Sequence, residues 1–115
     1  MMLWHNEEDT TRSPQEVGAC EPVGLWIGTY PIEYGQYVFV EWRVTHPNGE
    51  TVNGKTDALW QHNDSSRGNS YWLASLGPFE EGDKVEYTIR GQSRGGPAGP
   101  ITYTFIVGPQ KVSKE

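Results

Sequence analysis

This chain of 115 residues predicts an all-β sandwich of about seven antiparallel strands with no significant helix. Three observations carry that prediction. Apolar residues alternate with period 2 along most of the chain, as they do in strands buried on one face. Gly, Pro and Asn clusters recur every ~8–12 residues, the spacing of short strands joined by tight turns. Finally, no stretch of about 11 residues offers an apolar face at i, i+3, i+4, i+7 without an interrupting Gly or Pro.

Residues 1–21 are polar and acidic and are expected to form a flexible N-terminal arm, with Leu3 and Trp4 able to dock on the body. The sandwich is expected over 22–108 and a polar C-terminal tail over 109–115. The first strand runs from Pro22 to Tyr30, with Val23, Leu25 and Ile27 on one face and Trp26 on the other; Pro31 to Gly35 turns the chain. From Gln36 to Thr45, Val38, Val40, Trp42 and Val44 alternate with Tyr37, Phe39, Glu41 and Arg43, whose charged members mark the outer face. His46-Pro47-Asn48-Gly49 is a hairpin turn, because Asn and Gly tolerate positive φ. Glu50–Val52 reads as a short strand closed by Asn53-Gly54. Lys55–His62 reads as another, with Thr56, Ala58, Trp60 and His62 opposed to Asp57, Leu59 and Gln61. Asn63–Asn69 is a polar loop, and Ser93–Pro100 a mobile Gly/Pro-rich loop before the last strand, Ile101–Val107, which turns Tyr103, Phe105 and Val107 to one face.

Between those loops lie two strands and a corner. Trp72, Ala74 and Leu76 share one face; Gly77-Pro78-Phe79-Glu80-Glu81-Gly82-Asp83 makes the corner; Val85, Tyr87 and Ile89 share a face of the next strand. A Tyr at that place can turn its hydroxyl back onto the corner backbone, as in the tyrosine corner of immunoglobulin-like sandwiches. Five Trp, six Tyr and three Phe supply enough large apolar surface for a core even though the hydrophobic fraction is 35%.

Composition also excludes functions. Fifteen acidic against nine basic residues give a net charge of −6, which disfavours nucleic acid. No apolar run approaches the ~20 residues of a membrane span. The first residues have neither a basic nor an apolar leader segment, so the sequence reads as cytoplasmic, or extracellular if it belongs to a larger exported protein. The single cysteine, Cys20, cannot form an internal disulfide and is expected as a partly buried thiol. His5, His46 and His62 have no metal-site spacing. Asn63-Asp64-Ser65-Ser66 offers oxygens but not the EF-hand spacing, and neither serine lies in a G-x-S-x-G context. Glu80, Glu81 and Asp83 read as solvated corner charges rather than a catalytic pair. No catalytic residue, metal or cofactor is expected.

The aromatics exceed what the core needs. Trp26, Tyr30, Tyr34, Tyr37, Phe39, Trp60 and Tyr71 remain after the inward faces are filled. Such rings either pack across strands or stack on a ligand. The run Ser70-Tyr71-Trp72-x-Ala74-x-Leu76-Gly77-Pro78-Phe79-x-x-Gly82-Asp83-x-Val85-x-Tyr87-x-Ile89-x-Gly91, with Tyr103-x-Phe105-x-Val107-Gly108 after it, resembles the immunoglobulin-like modules attached to bacterial glycoside hydrolases. Among these the starch- and glycogen-binding modules of the amylase group are similar in kind. The resemblance spans Pro22 to Gly108 and rests on fold positions. It implies a noncatalytic, monomeric carbohydrate-binding module for oligosaccharide or polysaccharide, α-glucan in particular. The alternative is a protein-interaction or spacer domain with no sugar ligand. From the residues themselves, the expected stacking rings are Trp26, Trp60 and Tyr71. Asn63, Asp64 and Arg67, in the loop between Trp60 and Tyr71, form the expected polar rim.

Overall fold

The computed structural model describes residues 1–111 and contains nine strands and no helix among them. They are β1 Met2–His5, β2 Arg12–Ser13, β3 Val23–Tyr30, β4 Tyr37–Thr45, β5 Thr51–Asp57, β6 Leu59–Asp64, β7 Asn69–Leu76, β8 Lys84–Ser93 and β9 Gly96–Ile106. One antiparallel sheet has the order β1-β3-β7-β6, with β2 also pairing β3; the other has the order β5-β4-β8-β9. The two face each other as a sandwich. Its interior is filled by the alternating sets read from the sequence: Val23, Leu25 and Ile27; Val38, Val40 and Val44; Trp72, Ala74 and Leu76; Val85, Tyr87 and Ile89; Phe105 and Val107. All are buried because each strand presents one side to the opposite sheet.

The expected flexible arm is instead part of the sandwich. β1 lies along β3 with Trp4 opposite Gly28 and His5 opposite Ile27. Leu3 packs against the core, and the Trp4 ring occupies the space that a Cβ at Gly28 would need. Farther on, Val17 is buried, and residues 17–19 exchange backbone hydrogen bonds with Gly108. The alternation that reveals a strand is too short to read in a strand of four residues. Of the expected C-terminal tail, 112–115 lie outside the described residues.

Polar groups, not only apolar ones, lock β1 in place. His5 is 2% exposed. Its Nδ1 donates to the Trp26 carbonyl at 2.6 Å, which leaves Nε2 to accept from the Tyr87 hydroxyl at 2.9 Å. Arg12 Nη1 donates to the same hydroxyl at 3.3 Å, and the Tyr103 hydroxyl donates to the His5 carbonyl at 2.9 Å. Tyr87 therefore does not bond the corner backbone as expected; its hydroxyl points toward β1 and is used there. The corner is held by Asp83, expected as a solvated charge but 1% exposed. Asp83 Oδ2 accepts from the Glu80 amide at 3.0 Å, and its Oδ1 pairs with His46 Nδ1 at 2.7 Å. Cys20, expected to be partly buried, is exposed.

Three further expectations change. Asn53-Gly54 is no turn: it lies inside β5, with Gly54 opposite Trp42 and the Trp42 ring lying where a Cβ would be. Lys55–His62 is not one strand, because the chain leaves one sheet at Asp57 and joins the other at Leu59. Ala58, buried between them and donating its amide to the Val38 carbonyl at 2.9 Å, is the switch point. Most of the loop expected at Ser93–Pro100 belongs to the β8–β9 hairpin, whose register shifts between Ile89 and Gly91.

His5 and His46 give stability opposite pH dependences. Burial is the main cause that lowers the His5 imidazole below its ordinary value of 6.5; Arg12 adds to it and the Trp26 carbonyl opposes it. The folded state thus binds fewer protons at His5 than the unfolded chain, and this contribution is lost as pH falls below 6.5 toward the lowered value. The hydrogen bond to Asp83 raises His46 above 6.5, so its contribution is full below 6.5 and lost as pH rises through the raised value. Thermal unfolding followed from about pH 5 to about pH 8.5 is expected to show falling stability on both sides of neutrality. His5→Asn should flatten the acid limb and His46→Gln the alkaline limb. In a separate test, Gly54→Ala drives a Cβ into the Trp42 ring and is expected to destabilise the domain by about 1–3 kcal/mol, read by denaturant unfolding.

Candidate functional site

β6 is an edge strand, and one irregularity in it decides where its side chains go. Trp60 lies opposite Trp72, but His62, two residues on, lies opposite Tyr71, and the register shifts between Trp60 and His62. The extra residue is Gln61. In a regular strand Trp60 and His62 share a face, as the sequence predicts; the bulge sends them to opposite faces.

On the inner face, at the end of the sandwich, Trp60 and the loop 31–36 enclose an open groove of ≈ 570 Å³. Trp60 is 54% exposed and Tyr34 91% exposed, two large rings held in solvent on either side. Trp72 and Ser70 form the floor, with Ile32, Glu33, Gln36 and Asn63 along the walls. Hydrogen bonds hold these parts in place. Asn63 Oδ1 accepts from Trp60 Nε1 at 2.9 Å and from Ser70 Oγ at 2.8 Å, which fixes the indole and commits the amide oxygen. The two Asn63 Nδ2 hydrogens have no partner among the described residues and are free to donate to a ligand. Gln36 Nε2 donates to the Pro31 carbonyl at 2.7 Å and shapes the loop. Beneath it, Trp72 Nε1 donates to Thr29 Oγ1 at 3.0 Å. A flat apolar ring beside amide donors and a carboxylate suits a ligand with one apolar face and hydroxyls at its edge.

The opposite face of the same sheet carries Trp26, Tyr71, Asp64 and Arg67, together with Glu8, Asp9, Thr11 and His62. The six residues expected from the sequence thus divide between two faces, Trp60 and Asn63 on one, the other four on the other. Tyr71, expected to offer its ring, is 7% exposed, because the 6–11 loop folds over it and its hydroxyl donates to Asp9 Oδ2 at 2.6 Å. Tyr34, Ile32, Glu33 and Gln36 were not among the expected site residues. The signal was an aromatic inside the Pro31–Gly35 turn, where a ring has nothing to pack against. Asp64 Oδ1 accepts from the Ser66 amide and hydroxyl at 3.2 and 2.7 Å, so its carboxylate shapes the turn. Among the described residues one group has metal-ligand geometry, His46, Glu80 and Asp83, with ligand atoms within 4.8 Å of one another. Both Asp83 oxygens already have protein partners there, which makes the group a clasp for the corner.

The chain is similar to a segment of much larger enzymes. It is 37% identical over 107 residues to an isomaltosyltransferase of Sporosarcina globispora, a match covering 90% of this chain and 9% of that protein. Among solved structures, a cycloalternan-forming enzyme from Listeria monocytogenes in complex with a pentasaccharide substrate matches with 37% identity and a TM-score of 0.76, over 93% of this chain and 10% of that one. A Listeria monocytogenes EGD-e protein in complex with α-D-glucose, β-D-glucose, magnesium and calcium matches equally, with TM-score 0.76, 37% identity and the same coverage. No protein-family model matches the chain. The chain thus spans about a tenth of the length of these relatives, and it corresponds to a small β domain of carbohydrate-processing enzymes.

Asn63→Ala removes the acceptor that holds the Trp60 indole. The expected result is an upfield-shifted, broadened Trp60 Nε1–H signal in an amide NMR spectrum and a loss of about 0.5–1.5 kcal/mol in stability.

Proposed function

We propose that this chain is a noncatalytic carbohydrate-binding module of immunoglobulin-like type that holds an α-glucan in the groove between Trp60 and Tyr34. The observation that carries the reading is a groove lined by two solvent-exposed rings, Tyr34 and Trp60, the latter bonded to Asn63, whose amide Nδ2 is free to donate. Pyranose rings stack on such aromatic faces through their C–H groups, while amides and carboxylates at the rim take the hydroxyls. Among the described residues Glu33 is the one carboxylate lining the groove, whereas glycoside hydrolysis commonly uses two. The similarity to enzymes named for isomaltosyl transfer and cycloalternan formation supports a glucose-based ligand. The small share of those enzymes that the chain matches supports an accessory role rather than a catalytic one.

Mechanistically, the frame contributes by preorganisation. The indole of Trp60 is already bonded and the floor already packed, so these groups lose little side-chain freedom on binding, whereas the exposed Tyr34 ring is ordered by the ligand. Affinity in the micromolar to millimolar range, about −4 to −8 kcal/mol, is expected. A second reading, a protein interface, rests on the exposure of Leu59 beside Trp60 on the edge strand.

Titration with maltoheptaose, isomalto-oligosaccharides and a cello-oligosaccharide control tests the proposal, with binding read by calorimetry. Saturable binding of the α-glucans is expected, and Trp60→Ala weakens the component that fills this groove about tenfold or more, a change of about 1.4 kcal/mol. An isotherm unaltered by Trp60→Ala in both affinity and stoichiometry, or no binding at several millimolar sugar, overturns it.

A further inference from the structure

The bulge at Gln61 gives the edge strand two working faces. Behind the Trp60 groove, on the outer face of the sheet, lies a second groove of ≈ 400 Å³. Its floor is a row of rings contributed by three adjacent strands. His62 of β6 lies 5.2 Å from Tyr71 of β7, with the rings tilted by 33°, and 6.2 Å from Trp26 of β3, edge-on at 61°. Trp26 is half-buried and His62 exposed, so these two rings meet solvent while the buried Tyr71 packs against His62. The walls come from two loops. Glu8, Asp9 and Thr11 rise on one side, Asp64 and Arg67 on the other. Glu8, Asp9 and Arg67 also border an adjoining depression that includes Trp4, so the groove continues across the sheet.

The polar groups here are held, not loose. Asp9 accepts from the Tyr71 hydroxyl at 2.6 Å and from Trp4 Nε1 at 3.1 Å. These bonds hold the Asp9 carboxyl below its ordinary value against the opposing effect of desolvation. Asp64 is fixed by Ser66, and the Arg67 guanidinium stands 3.8 Å from Asp64 with most of its side chain exposed. Three carboxylates facing one guanidinium leave the walls net negative, which rejects acidic and phosphorylated ligands and favours hydroxyls as donors. No residue lines both grooves, because they open on opposite faces of the sheet.

We propose that this outer face, built on Trp26, His62 and Tyr71 with Asp9, Asp64 and Arg67 at the rim, is a second binding site for a neutral oligosaccharide, making the domain bivalent. The proposal rests on the reading of the chain as a carbohydrate-binding module but concerns a separate surface. Two sites on opposite faces of one edge strand engage two sugar chains, or two turns of one polymer. On a polymer the second contact is intramolecular, so retention exceeds what either groove provides alone.

The test is an amide NMR titration of the whole chain with maltoheptaose and isomalto-oligosaccharides, with oligogalacturonate as the acidic control. The five Trp indole signals are assigned by single substitutions. Two groups of shifts are expected, at Trp60 and at Trp26, each saturating with its own affinity and neither moved by the acidic sugar. Trp60→Ala should leave the Trp26 titration intact, and the double variant Trp26→Ala/His62→Ala should leave the Trp60 titration intact. Either change should lower retention on polymeric α-glucan by about tenfold or more. If only Trp60 titrates, or if the Trp26 shift vanishes in Trp60→Ala, the second site is overturned while the first stands. Movement of neither indole overturns both. Unchanged thermal unfolding of the double variant excludes misfolding as the cause of any loss.

Discussion

The His5 imidazole, bonded on one side to the Trp26 carbonyl and on the other to the Tyr87 hydroxyl, joins the two sheets at a point that apolar packing alone does not specify. Trp26 belongs to one sheet and Tyr87 to the other, so this one ring ties the first five residues to both layers. A buried polar group is costly unless every partner is supplied, and here each is: Arg12 completes the Tyr87 hydroxyl and Tyr103 takes the His5 carbonyl. The consequence reaches the surface. With β1 fixed along β3, the loop that follows carries Asp9 over Tyr71, buries that ring and raises one wall of the outer groove.

Two local departures from regular structure then shape the opposite edge. At Ala58 the chain crosses from one sheet to the other, so β6 becomes an edge strand with its outer backbone unpaired. At Gln61 an extra residue turns the strand's side chains through half a turn. Bulges at sheet edges commonly re-aim side chains, and this one separates Trp60 from His62. The ring that an unbroken strand places beside its neighbour is sent instead toward Tyr34, and the neighbour toward Trp26. The chemistry of both grooves follows from that one added residue.

The surface that results has rings on a rigid framework, with amides and carboxylates at its margins. That combination is what the proposed carbohydrate binding rests on. The relatives are long proteins in which a match to this chain occupies about a tenth of the length.

Much of this was legible in the residues alone. Alternation over eight to ten residues, as in β3, β4 and β8, identifies both the strand and its buried face, because the side-chain period is a property of the backbone. The turn at His46–Gly49 was legible for the same local reason, since Asn and Gly tolerate the conformation it requires. Trp60 and Asn63 were expected near each other because Asn63 lies in the loop that directly follows Trp60, and a hydrogen bond of 2.9 Å joins them. What tertiary structure alone decided was non-local. A four-residue β1 carries too little pattern to announce itself, and its place depends on a partner eighty-two positions away, as the His5–Tyr87 bond shows. Whether Asn53-Gly54 turns or pairs depends on the Trp42 ring across the strand. The face to which Trp26, Trp60 and Tyr71 belong depends on register, and a single bulged residue exchanges inside for outside without changing the composition from which the sequence is read.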